Sequence, residues 1–130
     1  LRITEKRDQG FDLNPADFEG MYIPEWVPEG YNVAEIDILD GLKRICYKNA
    51  DGNQINYYIF IGASSISIDN ENIVNTTHYI HGVPAQVNIK DEKIRIVWED
   101  SIYAYMIIGN YDVQNELIEM AEKTMKIVGE

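Results

Sequence analysis

Ile94-Arg95-Ile96-Val97-Trp98-Glu99-Asp100-Ser101-Ile102-Tyr103-Ala104-Tyr105-Met106-Ile107-Ile108 is the stretch whose reading decides the fold. Ile94 to Trp98 and Ile102 to Ile108 are rich in β-branched and aromatic residues, the types that fit a pleated, half-buried surface. Between them Glu99-Asp100-Ser101 carries the short polar side chains a tight turn prefers, so the stretch reads as a hairpin. A lone hairpin is marginal in water and needs an apolar cover. The next segment supplies one. At about 100° per residue, Val113, Leu117, Ile118, Met120, Ala121, Thr124, Met125 and Val128 fall on one side of a helix, and Glu116, Glu119, Glu122, Lys123 and Lys126 on the other. Asp112 is the expected N-cap, since its carboxylate suits the free N–H groups of the first turn. Gly129 is the expected stop. The Glu119–Lys123 and Glu122–Lys126 pairs add only about 0.2–0.5 kcal/mol each. Burial contributes about 1.5–3 kcal/mol per large apolar side chain, so it is burial that decides.

Upstream of the hairpin, Asp91-Glu92 forms a turn, and Val83 to Ile89 and Ile73 to Ile80 flank a second hairpin signal, His81-Gly82. Asp69-Asn70-Glu71-Asn72 reads as a polar loop, with Ser64 to Ile68 prolonging the sheet before it. In Gln54 to Gly62, Ile55, Tyr57, Ile59 and Ile61 alternate with Asn56, Tyr58 and Phe60. Apolar residues on both faces predict a central strand covered on both sides. Asn49 to Asn53 turns the chain back to a strand from Leu42 to Lys48, and Asp40-Gly41 links that strand to another from Tyr31 to Leu39. Pro24 and Pro28 forbid regular helix and favour an extended, polyproline-like approach to Tyr31. Leu1 to Gly20 is a polar arm in which Asn14 to Phe18 forms a short helical turn at most. The expected organisation is an arm over residues 1–20 and a single domain over 21–130. The expected fold is α+β: an antiparallel meander of about six to eight strands packed against a C-terminal amphipathic helix.

A chain of 130 residues buries a core without staples. Its one cysteine, Cys46, excludes an intramolecular disulfide. With 22 Asp and Glu against 11 Lys and Arg, the net charge of −11 repels phosphate backbones and anionic membranes. Nucleic acid is therefore not an expected partner. No apolar run approaches the roughly 20 residues that span a bilayer. The chain opens on Leu1 rather than Met, and a membrane-spanning or signal segment upstream of it is expected, with the arm holding the folded part clear of the bilayer.

Candidate chemistry is sparse. His78 and His81 are three apart, and in a strand residues so spaced face opposite ways, so no transition-metal site is expected. Asp69 to Asn72 lacks the glycine and closing glutamate of a calcium loop. Glu99 and Asp100 are turn residues rather than a glycosidase pair. Ser64, Ser65 and Ser67 stand in no nucleophile-elbow setting. Cys46, beside Ile45 and Tyr47, reads as a small core residue. Asn75-Thr76-Thr77 fits a glycosylation acceptor, a pattern that also arises by chance. No catalytic residue and no cofactor is expected, and the chain does not read as an enzyme. Tyrosine and tryptophan bury area at little entropic cost, which suits binding surfaces, and they are equally ordinary strand formers. Trp26, Tyr31, Trp98, Tyr103 and Tyr105 are the candidate binding residues.

Tyr22-Ile23-Pro24-Glu25-Trp26-Val27-Pro28-Glu29-Gly30-Tyr31 resembles the opening of a bacterial family catalogued as a domain of unknown function, with a proline-x-x-x-proline-glutamate-glycine-tyrosine signature. Asp51-Gly52, His81-Gly82-Val83-Pro84-Ala85, Trp98-Glu99-Asp100 with Tyr103 or Tyr105, and Leu117 to Ala121-Glu122 follow in that family's order, from Tyr22 to Val128. Ser101 departs from it where a glycine is usual. The resemblance implies an extracytoplasmic module displayed after a single transmembrane helix, some relatives being anti-sigma-factor-like, and assigns no catalytic residue. The expected function is a non-enzymatic sensory or protein-interaction module of a membrane-anchored bacterial protein, taking a protein, peptide or cell-envelope ligand. The alternative is a lipid- or small-hydrophobe-binding half-barrel with an apolar groove between sheet and helix.

Overall fold

Strict alternation in the sequence becomes one large sheet. The computed structural model describes residues 2–3, 13–62 and 73–128. In chain order its elements are β1 (Arg2–Ile3), a 3-10 turn (Pro15–Phe18), β2 (Tyr22–Pro24), β3 (Asn32–Ile38), β4 (Leu42–Lys48), β5 (Gln54–Ile61), β6 (Ile73–Ile80), β7 (Val83–Lys90), β8 (Lys93–Glu99), β9 (Tyr103–Asn110), a second 3-10 turn (Tyr111–Val113), α1 (Gln114–Glu122) and β10 (Thr124–Lys126). Eight strands form an antiparallel sheet in the order β1-β3-β4-β5-β9-β8-β7-β6. The topology is two meanders, β3-β4-β5 and β6-β7-β8-β9, joined where β5 pairs with β9. With the helix, this is the α+β architecture the sequence predicts.

The turns follow from backbone chemistry. His81-Gly82 and Asp91-Glu92 are two-residue loops whose φ angles are all positive (52°, 84°, 55° and 64°), the conformation that matches the twist of the strands they join. Asp100 holds the β8–β9 turn. Its Oδ1 accepts from the N–H groups of Ile102 (2.8 Å) and Tyr103 (2.7 Å), and its Oδ2 accepts from the Tyr105 hydroxyl (3.0 Å).

Period-2 alternation sorts the side chains onto two faces. One carries Ile36, Ile45, Tyr47, Ile55, Tyr57, Ile59, Ile94, Ile96, Trp98, Tyr105 and Ile107, all buried in a single core cluster. Against them α1 packs Leu117, Met120 and Ala121, each fully buried. Phe18, from the 3-10 turn, is also fully buried, and Arg2–Ile3 pairs with β3, so residues of the arm belong to the packed unit.

The helix departs from the sequence expectation at both ends. Asp112 lies inside the 3-10 turn, the N-cap position is Val113, and no side chain caps it. The helix ends at Glu122, and Thr124–Lys126 runs extended as β10, pairing with β2. Thr124 turns the chain there: its hydroxyl donates to the Ala121 carbonyl at 2.9 Å. Glu119–Lys123 therefore forms, at 2.7 Å, whereas Glu122 and Lys126 no longer share a helical face, and Met125 and Val128 are exposed rather than buried. The segment from Tyr22 to Pro24, expected as polyproline-like, is the other strand of this ribbon. The expected strand at Ser64–Ile68, the loop at Asp69–Asn72 and the stop at Gly129 lie outside the described residues.

Candidate functional site

The second face of the sheet holds the candidate site. Tyr58 and Phe60 of β5 were expected beneath a cover. The strand is central, but among the described residues no helix or strand lies over that side, and both rings are half-buried. Register places the side chains in rows. One row runs Asn88, Arg95, Ile108, Asn56, Cys46, Glu35, the next Gln86, Val97, Met106, Tyr58, Arg44, Asp37. On either side of these come Lys90, Lys93 and Asn110, and Glu99, Ala104, Phe60 and Leu42.

Charge is sorted between the faces. From β3 to β9 this face carries Arg44, Lys48, Lys90, Lys93 and Arg95 against Glu35, Asp37 and Glu99. The chain as a whole has twice as many acids as bases. Arg44 is satisfied locally: it donates to Asp37 (2.6 Å), Glu35 (3.1 Å) and Asn56 Oδ1 (2.9 Å). Burial opposes its charge, but the bonds to Glu35 and Asp37 win and push its pKa up, so Arg44 is a fixed cation. Lys93 donates to Asn110 Oδ1 at 2.8 Å. The Tyr58 and Phe60 rings stack with centroids 6.1 Å apart. Beside them a groove of about 630 Å³ is lined by Asn53, Gln54, Asn56, Tyr58, Lys93, Arg95, Ile108 and Asn110, with Gly52 and Gly109 in its wall.

The aromatic residues singled out from sequence lie on the other side. Trp98, Tyr105 and Tyr31 are buried, and Trp26 and Tyr103 are half-buried against the same core. Trp98 stacks on Tyr105 at 5.4 Å, and Tyr105 on Tyr57 at 6.3 Å. The Tyr105 hydroxyl accepts from the Tyr22 N–H at 3.3 Å, and the Tyr57 hydroxyl donates to the Tyr22 carbonyl, so these rings anchor β2 to the sheet. Burial raises the pKa of both hydroxyls and keeps them protonated donors. Trp26 lies under Lys123 Nζ, 5.1 Å from its ring centre. The structure thus brings Trp98, Tyr103 and Tyr105 together as packing, with Tyr31 and Trp26 at the edge of that core.

Reactive groups are placed apart. Cys46 is fully buried and burial pushes its thiol pKa up, which suppresses the thiolate. His81 stacks on Tyr22 at 4.1 Å and holds Thr124 Oγ1 at 2.7 Å through Nε2, while the Cα of His78 faces Ala85 inside the sheet. Among the described residues no three His, Cys, Asp or Glu side chains gather as metal ligands, and no helix is long and apolar enough to cross a membrane.

Sequence reasoning passed over Asn56, Arg95 and Asn110, because none belongs to a motif. The available signal was β5 itself, whose second face, Asn56-x-Tyr58-x-Phe60, is too polar for a core and too aromatic for plain solvent. Compared with known proteins, the chain matches no curated protein and no solved structure. A family model described as "Domain of unknown function (DUF4367)" matches residues 21–123, from β2 through the end of α1. That span covers most of the chain and every strand between, and the protein belongs to this family of domains of unknown function.

Proposed function

We propose that the domain is a non-enzymatic recognition module, the sensory or interaction part of a membrane-anchored bacterial protein working outside the cytoplasm, and that it recognises through the sheet face opposite α1. The observation that carries this reading is the pairing of a filled face with one that, among the described residues, no helix or strand covers and that keeps its aromatic rings half-buried. Tyr57, Tyr105, Trp98 and Leu117 occupy the layer between sheet and helix. The opposite side offers half-buried Tyr58, Phe60, Met106 and Ile108 among cations. Aromatic rings and arginine are the side chains that dominate binding energetics when a partner desolvates them. An apolar ligand pocket under the helix would displace side chains already packed there, which favours the open face over the half-barrel reading.

The test is site-specific photo-cross-linking in cells that express the intact protein. A photoreactive residue at Tyr58 is expected to capture a cell-envelope or protein partner, and one at Glu116, exposed on α1, is not. Equal labelling at both positions, or none at Tyr58, refutes the assignment of this face.

A further inference from the structure

We infer that the groove across β5, β9 and β8 binds an acidic sugar, a polyhydroxylated ring bearing a carboxylate or phosphate. The inference rests on the open face being the recognition surface and goes beyond it by naming what the groove takes. Three observations meet there. The first is charge. Arg95 is half-buried in the groove wall, and neither a hydrogen bond nor an ion pair ties its guanidinium to any described residue. Its neighbour Lys93 bonds only the neutral Asn110 among the described residues. Arg44, one strand pair away, shows what happens on this sheet when carboxylates stand opposite an arginine: both Glu35 and Asp37 bind it. Across from Arg95 stand Ile108 and Asn88 instead. A guanidinium fork held without a carboxylate among the described residues, in a chain of net charge −11, is a site for an external oxyanion.

The second observation is the amide lining. Asn53, Gln54, Asn56 and Asn110 all face the groove. A carboxamide both donates and accepts, which matches a hydroxyl group, itself donor and acceptor. Asn56 Oδ1 is used by Arg44, which leaves its NH₂ as a donor fixed in orientation. The third is the wall. Tyr58 supplies a ring face with a hydroxyl at its rim, and Gly52, with nothing near the place a Cβ would take, lets a flat ligand approach the backbone. An acidic peptide would satisfy Arg95 and Lys93 but leave the row of amides without a match in its side chains. Beyond Lys93 a neighbouring depression is edged by Asp91, Glu92 and Asp112. These carboxylates repel a long polyanion, so the fit is to a short acidic sugar rather than an extended acidic chain.

The experiment is a titration of the ¹⁵N-labelled domain with trigalacturonate, galactose 6-phosphate, neutral galactotriose and triglutamate, followed by amide shifts. Trigalacturonate, galactose 6-phosphate or both should move the amides of Asn56, Tyr58, Arg95 and Asn110, and the two arms distinguish carboxylate from phosphate. Arg95→Gln and the exposed Lys93→Gln should each weaken binding by about tenfold, the loss of one charge-assisted bond. Arg95→Lys should retain part of it, and Lys123→Gln, the same charge change on the helix, should leave affinity unchanged. Equal binding of galactotriose, preference for triglutamate, shifts elsewhere, indifference to Arg95→Gln and Lys93→Gln in folded variants, or no shift with either acidic sugar overturns the inference. If the acidic sugars fail while Tyr58 still cross-links a partner in cells, only the ligand is wrong. If both fail, the open-face reading falls with it.

Discussion

At the scale of single residues, Gly109 explains how closely the helix can lie on the sheet. A Cβ there would stand 2.9 Å from Leu117 Cδ1, 3.3 Å from Leu117 Cδ2 and 3.6 Å from Ile55 Cγ1. Gly109→Ala should cost about 1–3 kcal/mol as overpacking, and Leu117→Ala about 2–5 kcal/mol as a cavity beneath a fully buried side chain. The double variant should cost less than the sum, because the new methyl enters the space the leucine leaves. Denaturant melts of the four proteins measure this, and simple additivity would mean the two positions do not touch. His81 gives a pH prediction. Burial lowers its pKa, partly offset by its bond to Thr124, with Tyr22 stacked on the ring and Lys126 over the Tyr22 ring. A lowered folded pKa means the unfolded chain takes up the proton first, so stability is complete above the ordinary histidine range and falls as pH drops through it. Melts at pH 7.5 and pH 5.5 (on the order of one unit either side of the ordinary value of ~6.5) should show a loss that His81→Gln reduces. An equal loss in both proteins would contradict the role given to His81.

At the scale of elements, the β2–β10 ribbon is the part that local patterns hid. Thr124-Met125-Lys126-Ile127-Val128 continues the helical period of the residues before it, and its β-branched members suit a strand equally well. Its partner, Tyr22–Pro24, lies at the other end of the chain, so no window of sequence contains both strands. The strand is selected by nonlocal bonds, among them Ile127 N–H to Met21 O at 2.9 Å and Gly20 N–H to Ile127 O at 2.7 Å. Thr124 is the hinge, since its hydroxyl serves both Ala121 and His81. Thr124→Val keeps the shape and removes both bonds, one to the buried Ala121 carbonyl and one to the exposed His81 ring, and should cost about 1–3 kcal/mol. A melt indistinguishable from the parent protein would show that the ribbon does not depend on that hydroxyl.

At the scale of the whole molecule, two meanders share one sheet, and the two faces of that sheet are built differently. The strands of the two meanders, most of the turns and the covered face were legible, because alternation, His81-Gly82, Asp91-Glu92 and the Leu117 stripe are local signals. The pairing of β5 with β9 was not, since it joins segments separated by two hairpins. The candidate site was less legible still. Arg95 and Asn56 are neighbours only through Ile108 between them, a relation created by register. Aromatic content pointed to Trp98 and Tyr105, and topology turned those inward while leaving Tyr58 and Phe60 outward. The second face can recognise a partner only if it is open in solution. Paramagnetic relaxation by a soluble, neutral gadolinium chelate measures it directly. The ring signals of Tyr58 and Phe60 and the Met106 methyl should relax much faster than the rings of Tyr57 and Tyr105 and the methyls of Leu117 and Met120. If Tyr58, Phe60 and Met106 are as shielded as Tyr57, the face is covered and cannot be the recognition surface.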